Sequence, residues 1–186
     1  MIEGEVFKKI DFTSQKLKID SFEACRFESC NLEGAHLSGI KFIECEFMDC
    51  NLTNAHLKTT TLNEVVFTDC KMMGILFGDI NPFLLDVTFN TCQLSLCSFY
   101  GLNLKNTAFT DCNLKDADFT DTDLTNCLFE RCDLNGAHFE RSNLQKADLR
   151  TAENYTIDPE NNKLKGVLIS LDGARGLLSK YGVKIS

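Results

Sequence analysis

The chain has no tryptophan, two prolines and three histidines in 186 residues. So few prolines leave nearly every backbone N–H able to donate, as a continuous hydrogen-bonded ladder requires. No apolar run approaches the ~18 residues that mark a membrane-crossing helix, so no transmembrane segment is expected. The ten cysteines include no CxxC pair, which excludes a zinc ribbon or a thioredoxin-type motif. There is no P-loop, GxSxG or HExxH motif. No catalytic, cofactor-binding or metal-binding residue is therefore assigned, no cofactor is expected, and the chain reads as a non-enzyme. Unpaired cysteines without a secretory signal point to the reducing cytoplasm.

What is present is a period. Leu or Phe (once Met) recurs every fifth residue from Phe12 through Leu17, Phe22 and Phe27 to Met72 and Phe77, and again from Phe89 to Leu149. Five fits neither the 3.6 of a helix nor the 2.0 of a strand. The backbone must turn a corner once per pentad. Two residues before most of these centres stands a small or compact residue, and all ten cysteines occupy that position, Cys30, Cys50 and Cys70 among them. Fourteen of the fifteen Phe lie on the register; only Phe83 is off it. Similarity also peaks at 20: FEACRFESCNLEGAHL at 22–37 returns as FIECEFMDCNLTNAHL at 42–57. Four pentads per coil, with like residues stacked on like, is the mark of a solenoid.

The motif, as in Ala117-Asp118-Phe119-Thr120-Asp121, resembles the pentapeptide repeat family over roughly residues 5–152. The resemblance implies an all-β fold: a right-handed quadrilateral parallel β-helix of about seven coils, ~35 Å long at the ~4.8 Å strand spacing. Centres such as Phe27, Leu32, Phe47, Leu52, Phe109, Leu114, Phe119 and Leu134 should fill its core. The solenoid occupies 1–152, as an N-terminal arm (5–77), a break (78–88) and a C-terminal arm (89–152). Phe77 and Phe89 are twelve residues apart, two more than two pentads. Gly78, Pro82 and Phe83 mark the break, read as a bulge or kink that leaves Phe83 exposed. After Leu149 the pentads stop. The tail (153–186) reads as a strand over Lys163–Ile169, then a helix with Ser170 as N-cap and Gly182 as stop. Its apolar stripe is Leu171, Ala174, Leu177, Leu178 and Tyr181. A solenoid end is an open sheet edge needing cover; similarity to tails of the Qnr-type branch implies that this one also forms a head-to-head homodimer.

Net charge is −8. The tail from 151 carries four acids and five bases, so the body, with 23 acids and 14 bases, holds the acidity. An acidic rod should repel nucleic acid, so no direct nucleic-acid binding is expected. The densest stretch is Asp111, Asp116, Asp118, Asp121 and Asp123, a candidate partner-facing set. The histidines all precede a centre, and the stacking of His36 on His56 reads as a surface ladder inherited from coil duplication. Resemblance to the Qnr/MfpA-type branch implies a DNA mimic that binds DNA gyrase or topoisomerase IV and protects it from fluoroquinolones. The projecting loops of the Gram-negative plasmid Qnr proteins are missing here, so the chain looks like the loop-free members. The alternative is a protein–protein scaffold or immunity-type factor with another partner.

Overall fold

The computed structural model describes residues 1–13 and 19–183; Leu17, one of the expected centres, lies outside them. Every described strand pair is parallel, and the chain winds into a β-solenoid of about eight turns. Four columns of pairing define four faces. Face one stacks Phe22, Phe42 and Leu62. Face two stacks Phe27, Phe47, Phe67, Phe89, Phe109 and Phe129 in one nine-stranded sheet. Faces three and four are held by single bridges, such as Asn31 to Asn51 and Leu76 to Ser98.

The pentad geometry explains each preference. The centre points inward and is buried throughout the described repeats. Two residues on, the chain turns in the left-handed region: Ala24, Ser29, Glu44, Asp49 and Asn54 have φ between 49° and 54°. That region disfavours most side chains but is tolerated by Asn and Asp. Among the described residues, nine of the 21 non-glycine residues with positive φ are Asp or Asn, so backbone geometry accommodates part of the acidity. Many corners close with an i to i+3 bond, as where the Ala35 N–H donates to the Leu32 carbonyl (3.0 Å).

The small residue comes next, and it does more than fill space. The Cys50, Cys70 and Cys132 thiols donate to the Phe27, Phe47 and Phe109 carbonyls at 3.3–3.4 Å. At equivalent positions the Thr60, Thr122 and Ser142 hydroxyls donate to the Leu37, Phe99 and Phe119 carbonyls at 2.7–2.9 Å. A compact side chain with one donor satisfies a carbonyl in the coil beneath, which a valine could not. Burial pushes the Cys45 thiol up to about 11 and those of Cys97 and Cys127 up to about 12. These are structural, protonated thiols.

The rings form two long ladders, besides the Phe22–Phe42 stack on face one (5.3 Å). On face two, successive Phe stack at 4.5–5.4 Å from Phe27 to Phe129. On face four, Phe77, Phe99, Phe119 and Phe139 stack at 4.8–5.2 Å. Rings from the two ladders meet edge to face, as Phe119 does with Phe109 and Phe129. Both geometries are favoured by the ring quadrupole.

The insertion falls on face one, and the face-four ladder is interrupted at the same level: among the described residues His36–His56 and Leu76–Ser98 are bridged, but no bridge joins His56 to Leu76. The Asn81 N–H donates to the Thr60 carbonyl, the same 21-residue step as Thr61 to Ile40 one coil below, whereas Val65 pairs 22 residues ahead with Val87. The two extra residues therefore enter between Asn81 and Asp86. Face two continues unbroken past them, but the four-stranded sheet of face one ends at Thr61–Asn63. Phe83 is 70% exposed, and its N–H donates to Asn81 Oδ1 (3.1 Å) in a tight turn beyond Pro82. Gly78 is not part of the insertion. It sits in a short 3-10 turn, Phe77–Asp79, where a Cβ would lie 3.0 Å from the Tyr100 carbonyl.

The tail departs from expectation. The backbone does not leave the solenoid after Leu149 but makes an eighth turn: Glu153 bridges to Asp133, Lys163 to Asn143, and Leu168–Ile169 pairs with Asp148–Leu149. Only Leu168–Ile169 of the expected Lys163–Ile169 strand is extended sheet, because the segment turns a corner like any other pentad. The helix is short, Ala174–Leu178, followed by a 3-10 turn Ser179–Tyr181 that Gly182 ends in the left-handed region (φ 65°). Gly173 rather than Ser170 is the N-cap; Ser170 Oγ instead accepts the Gly173 N–H (2.9 Å) one turn earlier.

Candidate interaction surface

The five aspartates singled out by density wrap around the rod instead of running along it. Asp111, Asp116 and Asp121 take three successive corners of one coil, with positive φ, while Asp118 and Asp123 lie on the faces that follow. Three are neutralised. Arg131 forks onto Asp111 (2.6 and 2.8 Å), Arg141 onto Asp121 (2.7 and 2.8 Å), and Lys105 reaches Asp123 (3.3 Å). The partners of Asp111 and Asp121 stand 20 residues ahead, one rung up the same corner. Asp116 and Asp118 are left without an ion pair among the described residues.

The unneutralised carboxylates lie elsewhere. Exposed Glu44, Glu64 and Asp86 occupy successive rungs of the corner between faces one and two; Asp49 and Asp69 do so on the corner between faces two and three. None of the five joins an ion pair among the described residues. They form two rows flanking face two, one charge per ~4.8 Å rung. Sequence density missed them because they are 20 or 22 residues apart; folding the charges onto the coil period would have found them.

The exposed forks carry a testable pH dependence. Hydrogen bonds from Arg131 and Arg141 hold the Asp111 and Asp121 carboxyls below their ordinary 3.8. As acid is added the unfolded chain therefore protonates first. The stabilisation is complete above the unfolded value and is lost as pH falls from about 4 through the folded values. Denaturant midpoints measured from pH 7 to pH 3 should be flat and then fall, and Asp111→Asn with Asp121→Asn should make that fall shallower; an identical profile would show that the forks contribute nothing.

His36 and His56 stack at 4.8 Å as expected. Among the described residues no group of three or more His, Cys, Asp or Glu side chains could hold a metal ion, and no helix is long and apolar enough to cross a membrane. At the C-terminal end Leu171 is 92% exposed, Leu178 and Tyr181 are also exposed, and Leu177 packs on the core. Lys180 pairs with Asp158 (2.8 Å) and Glu160 (2.6 Å), which fastens the helical turn to the eighth coil. Gly173 and Gly176 lie directly on the Tyr155 ring and carbonyl, where a Cβ would collide.

The pentapeptide repeat region profile matches residues 20–83 and 80–149. The chain belongs to the pentapeptide repeat family. Its fold is similar to that of a trypsin-treated variant of QnrB1, described as a plasmid-mediated fluoroquinolone resistance protein: TM-score 0.67 at 18% identity, covering 100% of this chain and 97% of that one. It is also similar to HetL of the cyanobacterium Nostoc sp. strain PCC 7120, a pentapeptide repeat protein involved in heterocyst differentiation regulation: TM-score 0.52 at 17% identity, covering 92% of this chain and 88% of that one. Comparison with curated proteins finds no match.

Proposed function

We propose that this chain is a Qnr-type binding rod that presents a duplex-like acidic surface to a type II topoisomerase, DNA gyrase or topoisomerase IV, and protects it from fluoroquinolones. The observation that carries the reading is the end-to-end fold likeness to QnrB1. The paired carboxylate rows beside face two support it. Two negative rows with a sheet face between them follow the plan of a duplex, with one charge per ~4.8 Å in a row against one per 3.4 Å along a DNA strand. The protein acts without catalysis in the cytoplasm, and its C-terminal end joins two rods head to head into a homodimer about 75 Å long.

The neutralisation of Asp111, Asp121 and Asp123 favours a second reading, a scaffold for a different protein partner. Gyrase supercoiling with the protein titrated in, with and without ciprofloxacin, separates the two. Rescue in the presence of drug, reduced by Glu44→Gln with Glu64→Gln, is the expected result. No effect on gyrase or topoisomerase IV at protein well above enzyme would leave the scaffold.

A further inference from the structure

Face four carries side chains that the repeat does not need. The outward positions of a pentad are mostly polar, yet Leu76 is 58% exposed, Leu96 60% and Tyr100 54%. Leu76 and Tyr100 flank the face-four centres Phe77 and Phe99, and Leu96 takes the corner between faces three and four, at φ 62°. Leucine is a poor choice for a left-handed corner; eleven residues in the same conformation are Asp, Asn or Glu. Its presence there lacks a folding rationale.

Three carboxylates border this patch. Asp79 directly follows Gly78, which lies against Tyr100. Asp116 stands one rung beyond Leu96 in the same corner, and Asp118 one rung beyond Ser98, whose hydroxyl donates to it (3.3 Å). None of the three joins an ion pair among the described residues. Two cations border it: Lys58, one rung below Gly78, and Lys115, beside Asp116 and itself paired with Asp133 (3.1 Å). Towards the N-terminal end the patch continues into a shallow groove of ≈ 470 Å³ lined by His36, His56, Lys58, Gly74, Leu76 and Asp79.

We infer that face four, from His36 to Asp118, is a docking groove for a basic amphipathic helix of a partner protein. The charge is complementary: apolar residues of the helix meet Leu76, Leu96 and Tyr100, and Lys or Arg on its flanks meet Asp79, Asp116 and Asp118. The length also fits. From His36 to Asp118 is four rungs, ~19 Å at the strand spacing, which is about thirteen helical residues at 1.5 Å each. This surface is separate from the carboxylate rows beside face two, and the inference stands independently of the topoisomerase reading.

The probe is a fluorescein-labelled 14-residue Leu/Lys peptide with Leu at helical spacing, followed by anisotropy against the full chain. Controls are a scrambled peptide of the same composition and a Leu/Glu version. The helical Leu/Lys peptide should bind at least about tenfold more tightly than either. Leu76→Asp with Leu96→Asp should weaken it about tenfold, and Asp suits the left-handed corner, so the rod should keep its melting temperature. Asp116→Asn with Asp118→Asn should weaken it and flatten its salt dependence. Met48→Asp, exposed on face two, should leave it unchanged. Equal binding of the scrambled or Leu/Glu peptide, or wild-type affinity in a well-folded Leu76→Asp, Leu96→Asp variant, overturns the inference. So does conversion of that variant from dimer to monomer in sedimentation, which would assign the patch to a second copy. Lost peptide binding with intact gyrase protection would uphold the groove and place the topoisomerase contact elsewhere.

Discussion

Phe119→Ala should lower the stability of the rod by about 3–5 kcal/mol, read as a shift of the denaturant midpoint. The ring is fully buried, stacked between Phe99 at 5.0 Å and Phe139 at 5.2 Å, and met edge-on by Phe109 and Phe129. Removing it opens a cavity whose walls are other rings, themselves held by the coils above and below, so little collapse is available to refill it. Each ring contact also contributes about 0.5–1.5 kcal/mol beyond burial alone. The solenoid magnifies the effect in one respect: a coil touches only its neighbours, so weakening the sixth coil weakens the link between the two ends. Unfolding should broaden or split into two steps. Tyr100→Ala, on the outer surface of the same face, should cost under ~0.5 kcal/mol. A cost for Phe119→Ala below about 1 kcal/mol would mean that the aromatic ladder does not hold the rod together.

Most of this architecture was legible because a solenoid writes its geometry into its period. Five residues between Leu and Phe positions called for a corner per pentad, and twenty for a coil; the stacking of Phe22 on Phe42 and of His36 on His56 follows directly. The exposure of Phe83 followed from its place off the register. The eighth coil was hidden because Asn154 and Pro159 stand where the register calls for Leu or Phe, while Tyr155 and Ile157 are buried off it; Leu164 and Ile169 return to the register only beyond that gap. The charge pattern likewise follows the coil and not the chain. Counting acids along the chain singled out Asp111 to Asp123, but neighbours along the chain lie on different faces, and the residues that meet are those 20 apart. Asp111 and Asp121 meet arginines there, whereas Glu44 is followed one rung on by Glu64. The apolar patch had a sequence signal as well: Leu76, Leu96 and Tyr100 stand at pentad positions that are polar nearly everywhere else. The role of cysteine as a thiol donor to the coil beneath needed the carbonyl directions, which no spacing reveals.

Leu171→Asp should convert the proposed dimer to a monomer without loss of stability, while Leu177→Asp should loosen the cap itself. The two leucines lie six residues apart on the segment that closes the rod, yet they differ in what they touch. Leu171 is 92% exposed in the turn before the helix and supports nothing within its own chain. Leu177 packs on the core of the last coil, so a carboxylate there must either stay buried without a partner or pull the helical turn away. That turn covers an otherwise open end of the sheet, and its polar fastening runs through Lys180 to Asp158 and Glu160 on an exposed surface, too weak to hold it alone. Leu177→Asp should therefore cost about 2–3 kcal/mol and lower the melting temperature. Leu171→Asp, by contrast, removes apolar area only from whatever lies across the interface. Sedimentation velocity over a range of concentrations, with a thermal melt on the same samples, distinguishes the cases. A monomeric Leu171→Asp protein that melts with the wild type places the interface at this end of the rod. An unchanged sedimentation coefficient for Leu171→Asp, with destabilisation confined to Leu177→Asp, would mean that the tail only caps the solenoid, and any second copy must then meet the rod along its side.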